Sequence, residues 1–246
     1  MILLFGASSK IGEEYRRQSQ EEVLCVSRSN IEHKNDNSTI MIKASIEELA
    51  NDMSLINSNL RSQITTIVFA HRYRPLPSRE GIYDIHESIK IEIEAPAKII
   101  EKLQKKNNSL KTILFISSIG GEYVALEQPY AYGLTKICVQ KLAKDLAVRL
   151  SERQITVNTL ILGYVKQGQR IKRDEGFFNT AELVIPSRCV PDPKEIAQLM
   201  HDLVNLGLSN QLFTAQEIYG DACLTKQTHS AVAEQTRAGL QTRFKY

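Results

Sequence analysis

Short apolar runs alternate with longer amphipathic segments along the chain, and this alternation constrains the fold more than any other feature of the sequence. It is typical of strands and helices that take turns in a parallel sheet. Most runs are continuously apolar or β-branched, as expected when helices cover both faces of a sheet. We therefore predict an α/β fold with a doubly wound parallel β-sheet and helices on both faces. The predicted strands are 2–5, 23–26, 39–42, 65–70, 112–116, 156–162 and a weaker one at 217–219.

Five amphipathic segments predict helices, and the last of them has the clearest start. Asp192 is a cap residue, Pro193 suits the first helical position, and Glu195 lies three residues after the cap. No linker, repeat or change of composition divides the chain, so we expect a single domain over residues 1–246. Within it, 164–188 has little periodicity and is interpreted as a substrate lid, and 225–246 as a C-terminal extension. The predicted helices are 11–18, 46–57, 83–106, 131–152 and 193–206.

Composition excludes several other classes of protein. Hydrophobic residues make up 42% and charged residues 24% of the chain, which indicates a globular protein rather than a disordered one. No window approaches the ~20 apolar residues of a membrane span, and the apolar start lacks the basic leader of a signal peptide, so we expect a cytoplasmic protein with no membrane partner. The four cysteines contain no C-x-x-C pair, which favours reduced thiols over a metal site. A net charge of +3 is too small to indicate a nucleic-acid partner.

The first predicted strand runs directly into a turn bounded by Gly6 and Gly12. A strand, a tight turn and a helix N-terminus together present backbone N–H groups and the positive end of a helix dipole to a pyrophosphate, as in the Rossmann fold. Gly6 permits the turn, and Gly12 permits close packing of helix on strand. Two glycines alone would also fit a plain structural turn. The candidate cofactor-binding residues here are Gly6, Ser8, Ser9, Lys10, Ile11 and Gly12.

The end of the second predicted strand bears on which dinucleotide would bind. A site for NAD usually has an acid about 20 residues after the first glycine, whereas an arginine there suits the 2′-phosphate of NADP. Here Ser27 is polar but neutral, and Arg28 follows it. This favours NADP(H), with Lys10 as a possible second positive charge near the adenosine ribose. The alternative is that both cations are simply solvated.

Tyr132 and Lys136 stand four residues apart at the start of a predicted helix and so share a helical face. An ammonium about 4 Å from a phenol favours the phenolate by about 4 kcal/mol at an effective dielectric of about 20. Tyr132 is therefore a candidate general acid and base. Upstream, Ser118 follows a strand and would lie at the carboxyl edge of the sheet, where it could donate to a substrate oxygen. The apolar residues of the same helix are Leu134, Cys138, Leu142, Leu146 and Leu150.

These motifs together resemble the short-chain dehydrogenase/reductase family over nearly the whole chain. The turn at 6–12, the serine strand at 116–118, and the Tyr132 and Lys136 pair look like the motifs of that family. The resemblance implies that Tyr132 exchanges a proton with the substrate oxygen while a hydride moves between nicotinamide and carbon. It implies that Ser118 holds that oxygen and that Lys136 binds the nicotinamide ribose. It also implies a homodimer or homotetramer through the helices 83–106 and 131–152, and cofactor contacts at Ala70, Gly163 and Val165.

Several positions depart from the family pattern. Phe5 stands where a threonine is usual, Lys10 where a middle glycine is usual, and Leu162 where a proline is usual. The segment 69–71, Phe-Ala-His, takes the place of the Asn-Ala-Gly segment beside the adenosine. His71 is accordingly either a cofactor contact or, as we favour, an ordinary core or surface histidine.

Glu92 falls where the family has its fourth catalytic residue, an asparagine. The resemblance implies that this position acts largely through its backbone carbonyl, which holds a water on the proton path to the lysine. Pro96 has no N–H, so we expect it to leave the Glu92 carbonyl free. The Glu92 side chain could also pair with Lys136 and weaken its effect on Tyr132. We therefore keep Glu92 as a candidate catalytic residue and hypothesise a slowed but active enzyme.

The preferred function is an NADP(H)-dependent oxidoreductase, a ketoreductase or alcohol dehydrogenase, acting on a small-molecule carbonyl or secondary alcohol. The alternative is a catalytically impaired cofactor-binding regulator or scaffold on the same fold, which the departures motivate. The substrate is poorly encoded: four basic residues in the predicted lid would suit a phosphate, a nucleotide or an acidic carrier, or would simply be solvated. They are Lys166, Arg170, Lys172 and Arg173.

Overall fold

The computed structural model describes residues 1–28, 39–73, 82–121, 129–166, 179, 189–207, 209 and 212–214. Seven strands in this part of the chain form one sheet, and every neighbouring pair is parallel. The predicted α/β fold is therefore confirmed. The strands are β1 (Ile2–Phe5), β2 (Val23–Ser27), β3 (Thr39–Lys43), β4 (Thr66–Phe69), β5 (Thr112–Ser118), β6 (Thr156–Leu162) and β7 (Leu212–Thr214).

Seven α-helices of the described residues connect these strands, and one of them continues through a π-helical segment at Lys90–Glu94. The order of strands across the sheet is β3-β2-β1-β4-β5-β6-β7. The order reverses between β1 and β4, and a crevice at the carboxyl ends of such strands is where doubly wound sheets bind ligands. The helices are α1 (Lys10–Gln18), α2 (Ile46–Asn51), α3 (Ser58–Gln63), α4 (Ile82–Ile89), α5 (Ala95–Lys106), α6 (Tyr130–Arg149) and α7 (Pro193–Asn205).

The core has two layers, one on each face of the sheet, because successive residues of a strand point to opposite faces. In β1, Leu3 and Phe5 join the layer that packs under α2, α5 and α6, whereas Ile2 and Leu4 join the layer under α1 and α7. All four side chains are almost fully buried. This two-sided burial explains why the strands read as continuous apolar runs.

The predicted helix 46–57 is wrong in its second half. Its start is held by a capping box between Ser45 and Glu48, but the helix ends at Asn51. The Asp52 side chain accepts from the backbone N–H of Ser54 and starts a short 3₁₀ turn. Asn57 then caps α3, which the sequence pattern did not predict. Short polar side chains that bond to nearby backbone groups compete with a continuing helix, and two of them divide this one.

The apolar residues picked out on α6 divide between its buried and exposed faces. Leu150 is buried, and Leu142 and Leu146 pack against the core, whereas Leu134 and Cys138 are exposed. The smaller Val139, Ala143 and Ala147 complete the buried face, which lies against β5 and β6. Counting large apolar residues therefore identified only part of the buried face.

Some predictions lie outside the described residues. They are the strand at 217–219, the C-terminal extension at 225–246 and most of the lid at 164–188. Near the start of the predicted lid, the Lys166 N–H donates to the carbonyl of Pro191, three residues beyond the predicted end of the lid, at 2.9 Å. The single domain over 1–246 stays a prediction. Among the described helices, none has the length and apolarity required to span a membrane.

Candidate active site

The turn after β1 is shaped by two glycines whose neighbours leave no space for a side chain. A Cβ on Gly6, whose φ is +86°, would lie 2.4 Å from the Ala70 carbonyl oxygen. A Cβ on Gly12 would lie 2.3 Å from the Gly6 carbonyl oxygen. Ser9 caps α1, since its Oγ donates to the Gly6 carbonyl at 2.8 Å and accepts from the Gly12 N–H at 3.0 Å. The turn is thus a close-packed backbone cradle at a helix N-terminus, which suits an anionic ligand.

The residues expected near an adenosine ribose lie at one end of the same cleft. Ser27 is buried at the end of β2, and the exposed Arg28 follows it; both line the cleft. The predicted contact of Lys10 finds no support, because this exposed residue is not among those that line the cleft. Ile11 lines it instead, since adjacent residues of a helix point roughly 100° apart.

The two serines that end β5 have different surroundings. Ser118 lines the cleft, and its Oγ accepts from the Gly120 N–H at 3.2 Å. The Ser117 Oγ donates to the Lys136 carbonyl at 2.9 Å and accepts from the Gln140 side chain at 3.3 Å. Ser117 thus anchors α6 to the sheet, whereas Ser118 faces the space where a ligand would bind.

Tyr132 and Lys136 share a face of α6, as their spacing predicted, and both line the cleft. The Lys136 Nζ lies 5.7 Å from the centroid of the Tyr132 ring. The lysine is 4% exposed, so its ammonium has little water to solvate it. It lies 3.4 Å from the Ile116 carbonyl oxygen and 2.6 Å from the Glu92 Oε2.

Glu92 is buried and is fixed at both carboxylate oxygens. Its Oε2 forms the ion pair with Lys136, and its Oε1 accepts from the Tyr73 N–H at 2.9 Å. The pairing of Glu92 with Lys136, considered from the sequence, is thus present. The Tyr73 hydroxyl in turn donates to the Oδ1 of Asp84, a buried carboxylate, at 2.7 Å. The segment after β4 is therefore tied to α4 and to the π-helical segment.

The helical register before Pro96 differs from the one that the sequence prediction assumed. The Ala95 N–H donates to the Lys90 carbonyl, five residues back, as in a π-helix. Continued by one residue, this register would pair the missing N–H of Pro96 with the Ile91 carbonyl rather than with that of Glu92. The Ile91 carbonyl is bonded by the His71 Nε2 at 2.9 Å. The free carbonyl expected at Glu92 stays a prediction.

Three of the departures from the family pattern, Phe5, Phe69 and His71, lie side by side. Phe5 stacks on Phe69 at 5.1 Å between ring centroids, and Phe69 stacks on Phe115 at 4.9 Å. His71 packs edge-on against Phe5 and Phe69, at 6.0 and 5.9 Å. Burial lowers the pKa of His71 below its usual value of 6.5. His71 also bonds the carbonyl of Ile91, the residue before Glu92. The substituted positions 5, 69 and 71 therefore pack together and connect to the segment that carries Glu92.

One cleft of about 440 Å³ collects most of the predicted site. Gly12 and Glu92 do not line it and act through their contacts with Gly6 and Lys136. Arg72, Tyr73 and Tyr164 also line the cleft, and the sequence did not predict them as site residues. For Arg72 and Tyr73 the available signal was their position directly after a predicted strand. The predicted residues that line the cleft are Gly6, Ser8, Ser9, Ile11, Ser27, Arg28, Ala70, Ser118, Tyr132, Lys136, Gly163 and Val165.

The cleft fits a dinucleotide in two respects. The glycine turn supplies a cradle that a Cβ would fill, and it lies in the same continuous cleft as Tyr132. Arg28 at one end offers a cation for an anionic ribose substituent, and Ser118 at the other offers a hydroxyl.

Comparison with known proteins finds similarity to oxidoreductases. A family model described as enoyl-(acyl carrier protein) reductase matches residues 78–225, more than half of the chain. The oxidoreductase UcpA of Escherichia coli (strain K12) is 34% identical over 95 residues, which is 35% of this chain and 36% of that protein. The match thus spans about a third of the length of this curated relative.

Solved structures share the fold at low sequence identity. A short-chain dehydrogenase/reductase from Caenorhabditis elegans, solved with cofactor, superposes with a TM-score of 0.73 at 20% identity, over 93% of this chain and 97% of that one. ElxO with NADP bound superposes with a TM-score of 0.70 at 18% identity, over 87% and 95%.

Proposed function

The chain belongs to the short-chain dehydrogenase/reductase family, and from that premise we propose that it is an NADP(H)-dependent ketoreductase or alcohol dehydrogenase. One observation carries the proposal. Ser118, Tyr132 and Lys136 line the same cleft as the glycine turn and Arg28. A hydroxyl, a phenol and an ammonium would thus face a substrate beside the bound dinucleotide.

Each of the three side chains has a role in the proposed reaction. A bound nicotinamide would supply or accept the hydride. Tyr132 donates a proton to the carbonyl oxygen in the reductive direction and accepts it in the oxidative one. Ser118 holds that oxygen by a hydrogen bond, and Lys136 binds the nicotinamide ribose.

Glu92 would slow this chemistry without abolishing it. An ammonium has three donors, and Glu92 and the Ile116 carbonyl occupy two directions around the Lys136 Nζ. One donor is left for a ribose hydroxyl. The carboxylate 2.6 Å away also compensates much of the positive charge of Lys136. We therefore expect a slow but active enzyme.

The preference for NADP(H) rests on Arg28 and on Ser27, which stands at the sequence position of the carboxylate that usually accepts the ribose 2′-hydroxyl of NAD. Titration with NADPH and NADH, followed by nicotinamide fluorescence, tests it, and NADPH should bind more tightly. Arg28→Gln should remove most of that difference. Arg17→Gln, which removes an exposed charge from the ion pair with Glu14 on α1, should keep it. Tighter binding of NADH by the unmodified protein would contradict the assignment.

Turnover is tested with a panel of carbonyl substrates and Tyr132→Phe. Loss of the proton donor should lower kcat by about 10²- to 10⁴-fold while NADPH still binds. Glu92→Asn should raise kcat and move its pH profile, because it releases the charge of Lys136. An unchanged kcat and pH profile in Glu92→Asn would contradict the role given to Glu92.

The second candidate is a cofactor-binding regulator or scaffold with impaired catalysis. The buried pair of Glu92 and Lys136 favours it, because that pair engages the lysine the reaction requires. The two candidates differ in one outcome. A protein that binds NADPH, reduces no carbonyl and stays inactive as Glu92→Asn is the regulator.

The proposed setting is the cytoplasm, and the proposed assembly is a homodimer or homotetramer through the long helices at 83–106 and 131–152. The large apolar side chains that α6 leaves exposed support such an interface. They are Leu134, Ile137 and Val148. Light scattering on the purified protein should give a mass of two or four chains, and Ile137→Glu should lower it.

A further inference from the structure

Arg72 is an exposed cation that stands over the proposed proton donor and has no assigned role. It follows β4 by three residues and lines the cleft together with Tyr132. Its guanidinium carbon lies 6.0 Å from the centroid of the Tyr132 ring, at the outer limit of a cation–π contact. Such a contact at an exposed site is weak, so a ligand with a better partner can take the guanidinium from it.

The backbone around Arg72 is held in place on both sides. Before it, the Ala70 N–H donates to the Phe5 carbonyl at 3.0 Å, and the His71 ring bonds the Ile91 carbonyl at 2.9 Å. After it, the Tyr73 N–H donates to Glu92 at 2.9 Å, and the Tyr73 hydroxyl donates to Asp84 at 2.7 Å. These contacts fix the backbone from which the Arg72 side chain extends. Two of the partners, Glu92 and Asp84, are buried carboxylates.

The charge of Arg72 is the uncompensated one at this end of the cleft. Lys136 is neutralised by Glu92 at 2.6 Å, whereas Arg72 forms no ion pair with any residue that the structure describes. The one acidic side chain among the described residues lining the cleft is Glu47, in the first turn of α2. The described side chains that line the cleft around Tyr132 therefore carry a net positive charge.

We propose that Arg72 binds an oxyanion of the substrate, a carboxylate or a phosphate, whose carbonyl reacts at Tyr132; this inference rests on the proposed function. A guanidinium offers parallel N–H donors that match both groups in two-point contacts. In the reaction the carbonyl carbon gains the hydride from the reduced nicotinamide, and the oxygen gains the Tyr132 proton. Arg72 transfers neither the hydride nor the proton. It binds the oxyanion of the substrate and so determines specificity. The substrate class is a short oxo acid or a phosphorylated ketone.

Two matched pairs of probes test the assignment. Acetoacetate is compared with ethyl acetoacetate, and dihydroxyacetone phosphate with dihydroxyacetone, each with NADPH as reductant. Arg72→Gln should lower kcat/KM for the charged member of the preferred pair roughly 10- to 100-fold, mainly through KM, and that for its neutral partner less than about twofold. Arg72→Lys, which keeps the charge without the planar fork, should fall between. The pair with the larger ratio identifies carboxylate or phosphate as the group bound.

A matched control removes an unrelated charge. Lys141→Gln takes a cation from an exposed pair with Asp145 on α6 and should leave the ratio of charged to neutral substrate unchanged. Equal losses on charged and neutral substrates in Arg72→Gln overturn the inference, as does weaker NADPH binding in that variant, which would assign the guanidinium to the cofactor. A wild-type protein that binds NADPH and reduces none of the four probes overturns the proposed function instead, and the inference with it.

Discussion

The two ends of the cleft are built in different ways. At the phosphate-turn end, the shape comes from backbone atoms in contact, since Gly6 and Gly12 each have a carbonyl oxygen where a Cβ would stand. The other end, around Tyr132, Lys136 and Glu92, is called the proton-transfer end after the role proposed for Tyr132. Its shape comes from side chains that hold one another, with Glu92 between Lys136 and the Tyr73 N–H. One end depends on the absence of side chains, and the other depends on their charges.

This difference predicts how each end fails. A backbone cradle fails by steric overlap, whatever the pH. A network of buried charges fails when one partner is removed, because the other stays buried without compensation. Substitutions at the proton-transfer end should therefore be strongly coupled to each other and sensitive to pH, unlike those at the turn.

The largest effect is expected from breaking the pair of Glu92 and Lys136. Each of Glu92→Leu and Lys136→Met leaves one buried charge alone and should lower the free energy of unfolding by about 3 to 5 kcal/mol. The double variant should recover most of this loss, since it leaves no unpaired charge. Urea unfolding of the four proteins measures the coupling. Additive losses in the double variant would show that this end is not a coupled network.

The next effect is expected at the turn. Gly6→Ala places a Cβ 2.4 Å from the Ala70 oxygen and forces a side chain into a left-handed backbone, so it should cost about 3 kcal/mol of unfolding free energy. Gly207→Ala is the matched control. Its φ is +70°, but no atom of the described residues lies within 4 Å of the added Cβ, so it should cost about 1 kcal/mol. Equal losses in the two variants would remove the close contact as the feature that shapes the turn.

The same difference explains how much could be predicted from the sequence. The first six strands, the turn and the spacing of Tyr132 and Lys136 are local patterns, and the structure has them close to where the sequence indicated, whereas β7 was not predicted at Leu212–Thr214. The division of the predicted helix 46–57 was readable in principle, since Asp52 and Asn57 are cap residues. It was missed because apolar periodicity was given more weight than capping.

The contacts at the proton-transfer end are of another kind. Arg72 and Tyr73 meet Tyr132, Glu92 and Asp84 only because β4 delivers them there, and no spacing along the chain encodes these contacts. The hydrogen bond from His71 to the Ile91 carbonyl accompanies a helical register that shifts by one residue at the π-helical segment, and the sequence did not predict this shift. Contacts between segments distant in sequence therefore could not be predicted. The exception is the pair of Glu92 and Lys136, which the resemblance suggested.

A smaller effect is expected from the cap of α1. Ser9→Ala removes the oxygen that accepts from the Gly12 N–H and donates to the Gly6 carbonyl, and loss of such a cap costs about 1 kcal/mol. Ser8→Ala is the matched control, because the Ser8 side chain is exposed and makes no hydrogen bond to a described residue. Urea unfolding should separate the two variants, and a loss that varies with pH would contradict the picture of a purely steric turn.

The smallest effect is the dependence of stability on pH through His71, and it belongs to the proton-transfer end. Burial lowers the pKa of His71 below 6.5, and the neutral ring uses Nε2 toward the Ile91 carbonyl while Nδ1 has no partner among the described residues. Above pH 6.5 the ring is neutral in both states. As the pH falls through that value the unfolded chain takes up the proton first, so stability is lost until the pH reaches the lower pKa of the folded state.

His71→Gln can still donate to Ile91 but does not titrate, and wild type should lose stability relative to it between pH 7 and pH 5. The pKa of His201 is also lowered by burial, but this residue is common to both proteins and cancels in the difference. Parallel unfolding curves for the two proteins across this range would mean that the buried ring is not the source of the pH sensitivity, and the contrast between the two ends would then rest on Glu92 and Lys136 alone.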